Sequence, residues 1–307
     1  MPTAVALPTR TTGPVPLDTI RDLLTADRKT APRATNTAAS GPRALDSLPN
    51  ATWLPAGRTC PGQSAGCAGA LTDPTDRGPC YAANLENAYP TLRAAAYRRL
   101  DTWHRHLAAG TGPDLAAALL RYSRDKQLAA GISRPTFRLH ASGDFYSAAY
   151  ADAWYTAGHQ VAADPEPLHV WTYSRSYGAA GRDHLARLLD PEGHPPPRWT
   201  LYLSSDPTML ERTRRALAGR YHRLPVAMMA ATAAEGRALL AELDARTGHP
   251  PRRTVPCPVD AGRMPQVVPL RRTGPAASKP PVLTGACTAC RACIDRRTPP
   301  HIVFEVH

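Results

Sequence analysis

An α/β chain with a parallel sheet, a partial (βα)n TIM-like barrel, is the fold class this sequence predicts, and three observations carry that expectation. Short apolar runs alternate with longer amphipathic ones from about residue 50 onward. The strand runs end about every 25 to 32 residues, the length of one βα unit. Polar side chains collect where those runs end, which is where such a barrel puts its chemistry.

The elements follow in order. Residues 1–45 are rich in Thr, Ala, Pro and Arg and read as a flexible arm, with one short helix at "LDTIRDLLTADR". The barrel is expected over 46–256 and a Cys-rich extension over 257–307. "ATWLP" is the first strand. "YAANLENAY" starts a helix that Pro90 interrupts, and "TLRAAAYRRLDTWHRHLAA" resumes it. Asp114 is placed to cap "LAAALLRYSRDKQLAA". In "TFRLHASGD" Phe137, Leu139 and Ala141 alternate with Arg138, His140 and Ser142, a strand of period two. The helix "YADAWYTAGHQVAA", the strand "LHVWTYS", the helix "RDHLARLLD" and the strand "RWTLYLSS" come next. The last units are "DPTMLERTRRALAGR", "LPVAMMAAT", "AAEGRALLAELDARTG" and the short strand "RTVPC". At the strand ends stand His140, Ser142 and Asp144, then Thr172, Ser174 and Arg175, then Ser204, Ser205 and Asp206. Each also has a plain structural role open to it: Asp206 before Pro207 suits a helix cap, and His140 suits a hydrogen-bonded core position.

The 307 residues carry a formal charge of +12, from 37 basic and 25 acidic side chains. Lysines stand only at 29, 126 and 279, so the other basic residues are arginines, scattered through an Ala- and Pro-rich chain. That pattern suits a GC-rich coding bias and solvated helix faces, and it leaves contact with an anionic substrate or nucleic acid open. No apolar run reaches the roughly 20 residues of a membrane helix. The first residues lack a charged stretch followed by a long apolar one. A soluble, cytoplasmic protein is the expectation.

The seven cysteines divide into three and four. Cys257, Cys287, Cys290 and Cys293 end in a C-x2-C-x2-C run. Such a run with a remote fourth thiolate favours an iron–sulfur cluster over the paired knuckles of a zinc ribbon, although zinc stays open. Cys60, Cys67 and Cys80 remain, and an odd count in a cytoplasmic chain argues against structural disulfides. Three thiolates on a four-iron cluster leave one iron able to bind a small molecule, and Cys80 at a helix start is placed to be a thiolate. Scattered buried free cysteines are the plainer alternative. An open cluster at a barrel mouth predicts radical chemistry with S-adenosylmethionine.

The segments "LPAGRTCPG", "CYAAN", "HASGDFYS" and "WTYSRS", with the late cysteine run, resemble the phage gene product 88 family over roughly residues 50 to 307. More distantly they resemble radical SAM proteins with a "CYA" motif. The resemblance implies a partial barrel of radical SAM type that binds iron–sulfur, and it implies no settled reaction. It matches Cys60, Cys67 and Cys80 to the first cysteine set, followed by Tyr81. It puts Gly143 and Asp144 where a Gly-Glu pair holds the methionine amine, and Ser204 and Asp206 near ribose hydroxyls. The spacing C-x6-C-x12-C departs from the usual C-x3-C-x2-C, with "LTDPTDRGP" standing as an insertion.

The expected function is therefore an iron–sulfur enzyme using S-adenosylmethionine. It carries an open [4Fe-4S] cluster, a second four-cysteine cluster, a small-molecule or nucleotide-like substrate and an external electron donor. Tyr81, Ser142, Gly143, Asp144, Ser204 and Asp206 are the expected cofactor contacts. His140 and Asp144 are expected to handle protons or cofactor, and Arg175 to meet an anionic group. The competing expectation is a metal-stapled nucleic-acid-binding protein without catalysis, which the charge favours and 6% aromatic content disfavours.

Overall fold

The structure, a computed structural model, describes residues 13–26, 32–34, 48–64, 67, 80–178, 181–248, 252–258, 267–270, 282–294 and 298–305. The first half holds α1 (Leu17–Leu23), β1 (Leu24–Thr25), β2 (Pro32–Ala34), β3 (Ala51–Trp53), α2 (Tyr81–Ala88), α3 (Pro90–Ala108), α4 (Gly112–Ala129), β4 (Thr136–Ser142) and α5 (Ala148–Ala162). Then come β5 (His169–Ser174), β6 (Trp199–Ser205), α6 (Leu210–Leu217), β7 (Val226–Ala230), α7 (Ala233–Thr247) and β8 (Thr254–Pro256). The chain ends with β9 (Val267–Leu270), β10 (Val282–Gly285), α8 (Ala286–Cys290) and β11 (His301–Glu305).

The fold is mixed α/β. Eight strands form one sheet in the order β1-β3-β4-β5-β6-β7-β11-β8. All neighbours pair in parallel except β1, which runs antiparallel to β3. From β3 to β7 the spatial order is the chain order; α4, α5, α6 and α7 bury side chains in one main core, whereas Ala82 and Ala83 of α2 pack with Ala51 and Trp53 in a separate cluster. Among the described residues β1 and β8 are the sheet's edges. A second, antiparallel sheet has the order β2-β10-β9.

Strand residues alternate between two buried faces. Val170, Leu201, Leu203, Val226, Met228 and Val303 pack into the main core with Trp103, Leu119, Tyr150 and Trp154 of the helices. Between them along the strands, Tyr173, Tyr202, Ala227, Ile302 and Phe304 face the other way and pack against Cys257, Cys290, Ala292 and Cys293. Burial on both faces explains why these strands read as nearly continuous apolar runs.

Several expectations change here. Within the arm expected to be flexible, α1 and β1 are docked: Ile20, Leu23 and Leu24 are buried in the main core. Residues 1–12, 27–31 and 35–45 of that arm lie outside the described residues, as does the "LTDPTDRGP" segment. The segment 257–307 is no appendage, because its last strand, β11, lies inside the sheet between β7 and β8. The helix expected at "RDHLARLLD" is a single 3-10 turn, Leu185–Leu188; Pro191 and Pro195–Pro197 follow too soon for a longer one. Asp114 sits inside the first turn of α4, because Pro113 is accepted there and the helix begins upstream. Asp206 does cap, accepting from the Thr208 N–H at 2.9 Å.

Candidate functional site

Cys60, Cys67 and Cys80 come together beside the C-terminal ends of β3 to β6. Cys67 and Cys80 are hydrogen-bonded through their sulfurs, Cys67 feels the charge of both Cys80 and Cys60, and Cys60 that of Cys80. Cys80 immediately precedes α2. The bond from Cys67 lowers its pKa most; burial opposes this, and the N–H groups of Ala83 and Ala82 reinforce the lowering, to about 6. Burial, reinforced by the charge of Asp144, pushes the Cys60 thiol up to about 12. The Cys67 thiol is raised by its bond to Cys80 and then by burial, with Arg175 pulling the other way.

The polar residues of the strand ends hold these cysteine loops in place. Ser64 donates to Asp206 Oδ2 at 2.6 Å, and its hydroxyl accepts from Arg175 Nη1 at 2.7 Å and from the Cys67 N–H at 3.2 Å. Arg175 also pairs with Asp206 at 2.5 Å, both side chains being about nine-tenths buried. Its Nε donates to Ser204 Oγ at 3.3 Å. Burial alone would raise the Asp206 pKa, but Ser64, Thr208 and Arg175 outweigh it and hold the carboxyl below its ordinary value. Arg175 and Asp206 are therefore bonded to each other and to the Ser64 loop.

Asp144 plays a similar part for Cys60. Its buried carboxylate accepts from Ser174 Oγ, the Arg175 N–H and the Phe145 N–H, each at 2.7 Å. Its own N–H donates to Thr59 O at 2.9 Å. Burial keeps this carboxyl above the usual range against those bonds. Gly143 before it has φ +85°, and a Cβ there would lie 2.6 Å from Thr59 Oγ1 and 2.8 Å from Leu54 Cβ. The pair expected to grip a methionine amine thus locks the β4 end onto the Cys60 loop. Ser142 lies beside it, accepting from Leu54 N at 3.1 Å through its carbonyl.

His140 is not at the mouth. Its ring is buried, Nε2 lies 3.1 Å from Tyr150 Oη, and it meets Phe145 edge-on at 4.7 Å. Burial, then the charge of Arg138, lowers its pKa to about 3, so the ring is neutral. Tyr81 is half exposed beside Cys80; its hydroxyl donates to the Ala141 carbonyl and accepts from Arg138 Nη2 at 3.4 Å.

Two anchors escaped the sequence reading. Glu86 is buried on α2 and accepts from Trp53 Nε1 at 2.9 Å and from Ala56 N at 3.1 Å, fastening the loop before Cys60 to the helix after Cys80. A lone acid within the otherwise uncharged "YAANLENAY" was its signal. Arg212 reaches Gly62 O at 3.1 Å, Tyr177 O at 2.7 Å and the Arg175 carbonyl. Gly62 is obligatory there, since a Cβ would overlap that carbonyl.

Cys257, Cys287, Cys290 and Cys293 all line one cavity of about 30 Å3 on the other sheet face, walled by Trp171, Tyr173, Ile302 and Phe304. Burial raises the Cys293 thiol, a bond from Tyr173 opposes this, and the other three cysteines act on it by charge. Trp171, Tyr202 and Phe304 meet Tyr173 at 5.3, 5.3 and 5.4 Å between ring centres. Among the described residues, no three cysteine sulfurs lie within 4.8 Å of one another. The group that does is Asp190, Glu192 and His194, in an exposed turn where Asp190 already accepts from two backbone N–H groups.

Two relatives, both named Gene 88 protein, resemble this chain. That of Mycobacterium phage D29 is 27% identical over 202 residues, spanning 64% of this chain and 72% of the relative. That of Mycobacterium phage L5 is 26% identical over 178 residues, spanning 57% and 64%. No solved structure matches the chain. The model of the gene product 88 family matches residues 22–296, and the chain belongs to that family.

Proposed function

We propose that this chain is an iron–sulfur enzyme of radical SAM type, with the singly wound sheet acting as a partial barrel. Cys60, Cys67 and Cys80 would hold an open [4Fe-4S] cluster at the strand ends, and the four later cysteines a closed one. The observation that carries this reading is the division of seven thiols into two spatial groups, one at the strand ends and one around a walled cavity.

The C-x2-C-x2-C run with a remote fourth cysteine supports an iron–sulfur cluster over a single zinc ion in the later group. The apolar cavity walls suit a desolvated cluster.

When bound, the open cluster would supply one electron, received from an external donor, for reductive cleavage of S-adenosylmethionine. The chain's own residues give this chemistry its frame. Cys80 stands ready as a thiolate at a helix start, Ser64 sets the Cys67 backbone, and Asp144 and Glu86 set the Cys60 loop. Arg175 and Asp206 are positioning residues.

The test is iron and sulfide content, with the absorbance spectrum, of anaerobically purified protein, followed by assay for 5′-deoxyadenosine after reduction with S-adenosylmethionine. Wild type should bind iron and sulfide and release 5′-deoxyadenosine. Cys80→Ala should abolish that product while retaining the second centre, and Cys293→Ala should lose the second centre. Absence of iron and sulfide, or of 5′-deoxyadenosine from iron-loaded wild type, overturns the reading.

A further inference from the structure

Four of the five large apolar side chains exposed among the described residues fall on one stretch: Tyr81 at 50%, Leu85 at 38%, Tyr89 at 58% and Tyr97 at 39%. With Arg93 they recur every fourth residue along α2 and α3. Tyr89, itself extended, closes α2 and opens α3: its N–H donates to Leu85 O at 2.9 Å and its carbonyl accepts from Arg93 N at 3.2 Å. The result is a kinked line of side chains about 6 Å apart, with its three rings, Tyr81, Tyr89 and Tyr97, at every second step, starting beside Cys80.

The exposed charge between residues 81 and 98 has one sign, and Asp101, the next step of the series, is exposed beyond it. From residue 81 to 98 the one acidic residue is Glu86, which is buried and engaged with Trp53 and Ala56. Arg93 and Arg98 are exposed on the stretch. Arg58 is exposed in the loop that Glu86 fastens to α2. The chain as a whole carries +12. Exposed rings about two turns apart, with exposed arginines beside them and no exposed carboxylate between residues 81 and 98, match a polyanion that also offers flat faces to stack. A protein partner of ordinary affinity needs a patch of about 800 Å2 per side, broader than a line one side chain wide.

We propose that Tyr81, Leu85, Tyr89, Arg93 and Tyr97 form a platform for single-stranded nucleic acid. The bases stack on the tyrosines, the phosphates meet Arg58, Arg93 and Arg98, and the strand leads to the Cys60–Cys67–Cys80 end of the sheet. Delivery of a strand to those thiols rests on the function proposed above; the binding does not.

The experiment is fluorescence anisotropy of a labelled oligothymidylate titrated with the full-length chain, as purified anaerobically and after iron is chelated, at several salt concentrations. Tyr89→Ala and Tyr97→Ala should each weaken binding about fivefold or more, and Tyr89→Phe and Tyr97→Phe should restore it. Arg93→Ala should reduce the slope of log affinity against log salt by about 0.7. Arg237→Ala, on the exposed face of α7, should change nothing. Lack of binding by wild type, wild-type affinity in both Tyr→Ala variants, or equal losses for Arg93→Ala and Arg237→Ala would overturn the platform. Iron-free protein that still binds the oligonucleotide through the tyrosines upholds the platform even if the cluster reading has failed.

Discussion

His140 shows how a titratable residue at a strand end becomes part of the core. Between Phe145 and Tyr150 its ring has no room for a hydration shell, and burial is the first cause of its pKa near 3. The unfolded chain titrates the same ring near 6.5. Below that pH the unfolded state takes up a proton that the folded state refuses until about pH 3. His140 therefore withdraws stability as pH falls through this window and leaves it unchanged above. The slope is about 1.4 kcal/mol per pH unit. Urea unfolding of wild type and His140→Gln at neutral and mildly acidic pH should show the variant lacking this part of the loss. Identical pH dependence in both would mean that the ring is not held neutral.

At the scale of elements, α2 depends on one carboxylate. Glu86 receives Trp53 Nε1 from β3 and Ala56 N from the following loop, so it holds three parts of the chain that share no backbone ladder. Glu86→Ala leaves those two donors buried without their acceptor and should lower unfolding free energy by about 2 kcal/mol. Glu86→Gln keeps an acceptor oxygen and should cost less than half as much. Chemical denaturation of the two variants measures the difference, and equal losses would show that α2 is held by packing alone. The same logic covers Ser64, whose hydroxyl gathers Arg175, Asp206 and the Cys67 N–H into one point. Neither anchor had a motif, because a hydrogen bond between residues far apart in the chain leaves no local periodicity.

For the whole molecule, the C-terminal segment completes the sheet. β11 supplies a strand between β7 and β8, and Cys257, Cys290, Ala292 and Cys293 cover Tyr173, Tyr202 and Ala227. A chain ending at residue 256 would leave β8 without a neighbour and expose that aromatic face, so it should be insoluble or lack a cooperative unfolding transition by circular dichroism. A well-folded 1–256 fragment would show that the two parts are separate domains. Much of the architecture was legible in the residues. The period-two run of β4, the apolar runs of β5 to β7 and the cap at Asp206 are local patterns, set by neighbours two to four positions apart. The division of the cysteines into three and four was read from the C-x2-C-x2-C run standing far along the chain from the first three. What only the tertiary structure decided is long-range: the place of β11, the docking of α1 and β1, and the bonds by which Asp144, Arg175 and Asp206 brace the cysteine loops. A charged side chain at a strand end satisfies the same sequence pattern whether it faces a ligand or a neighbouring loop. The choice is made by which partner removes its desolvation cost, and that partner is found only once the chain has folded.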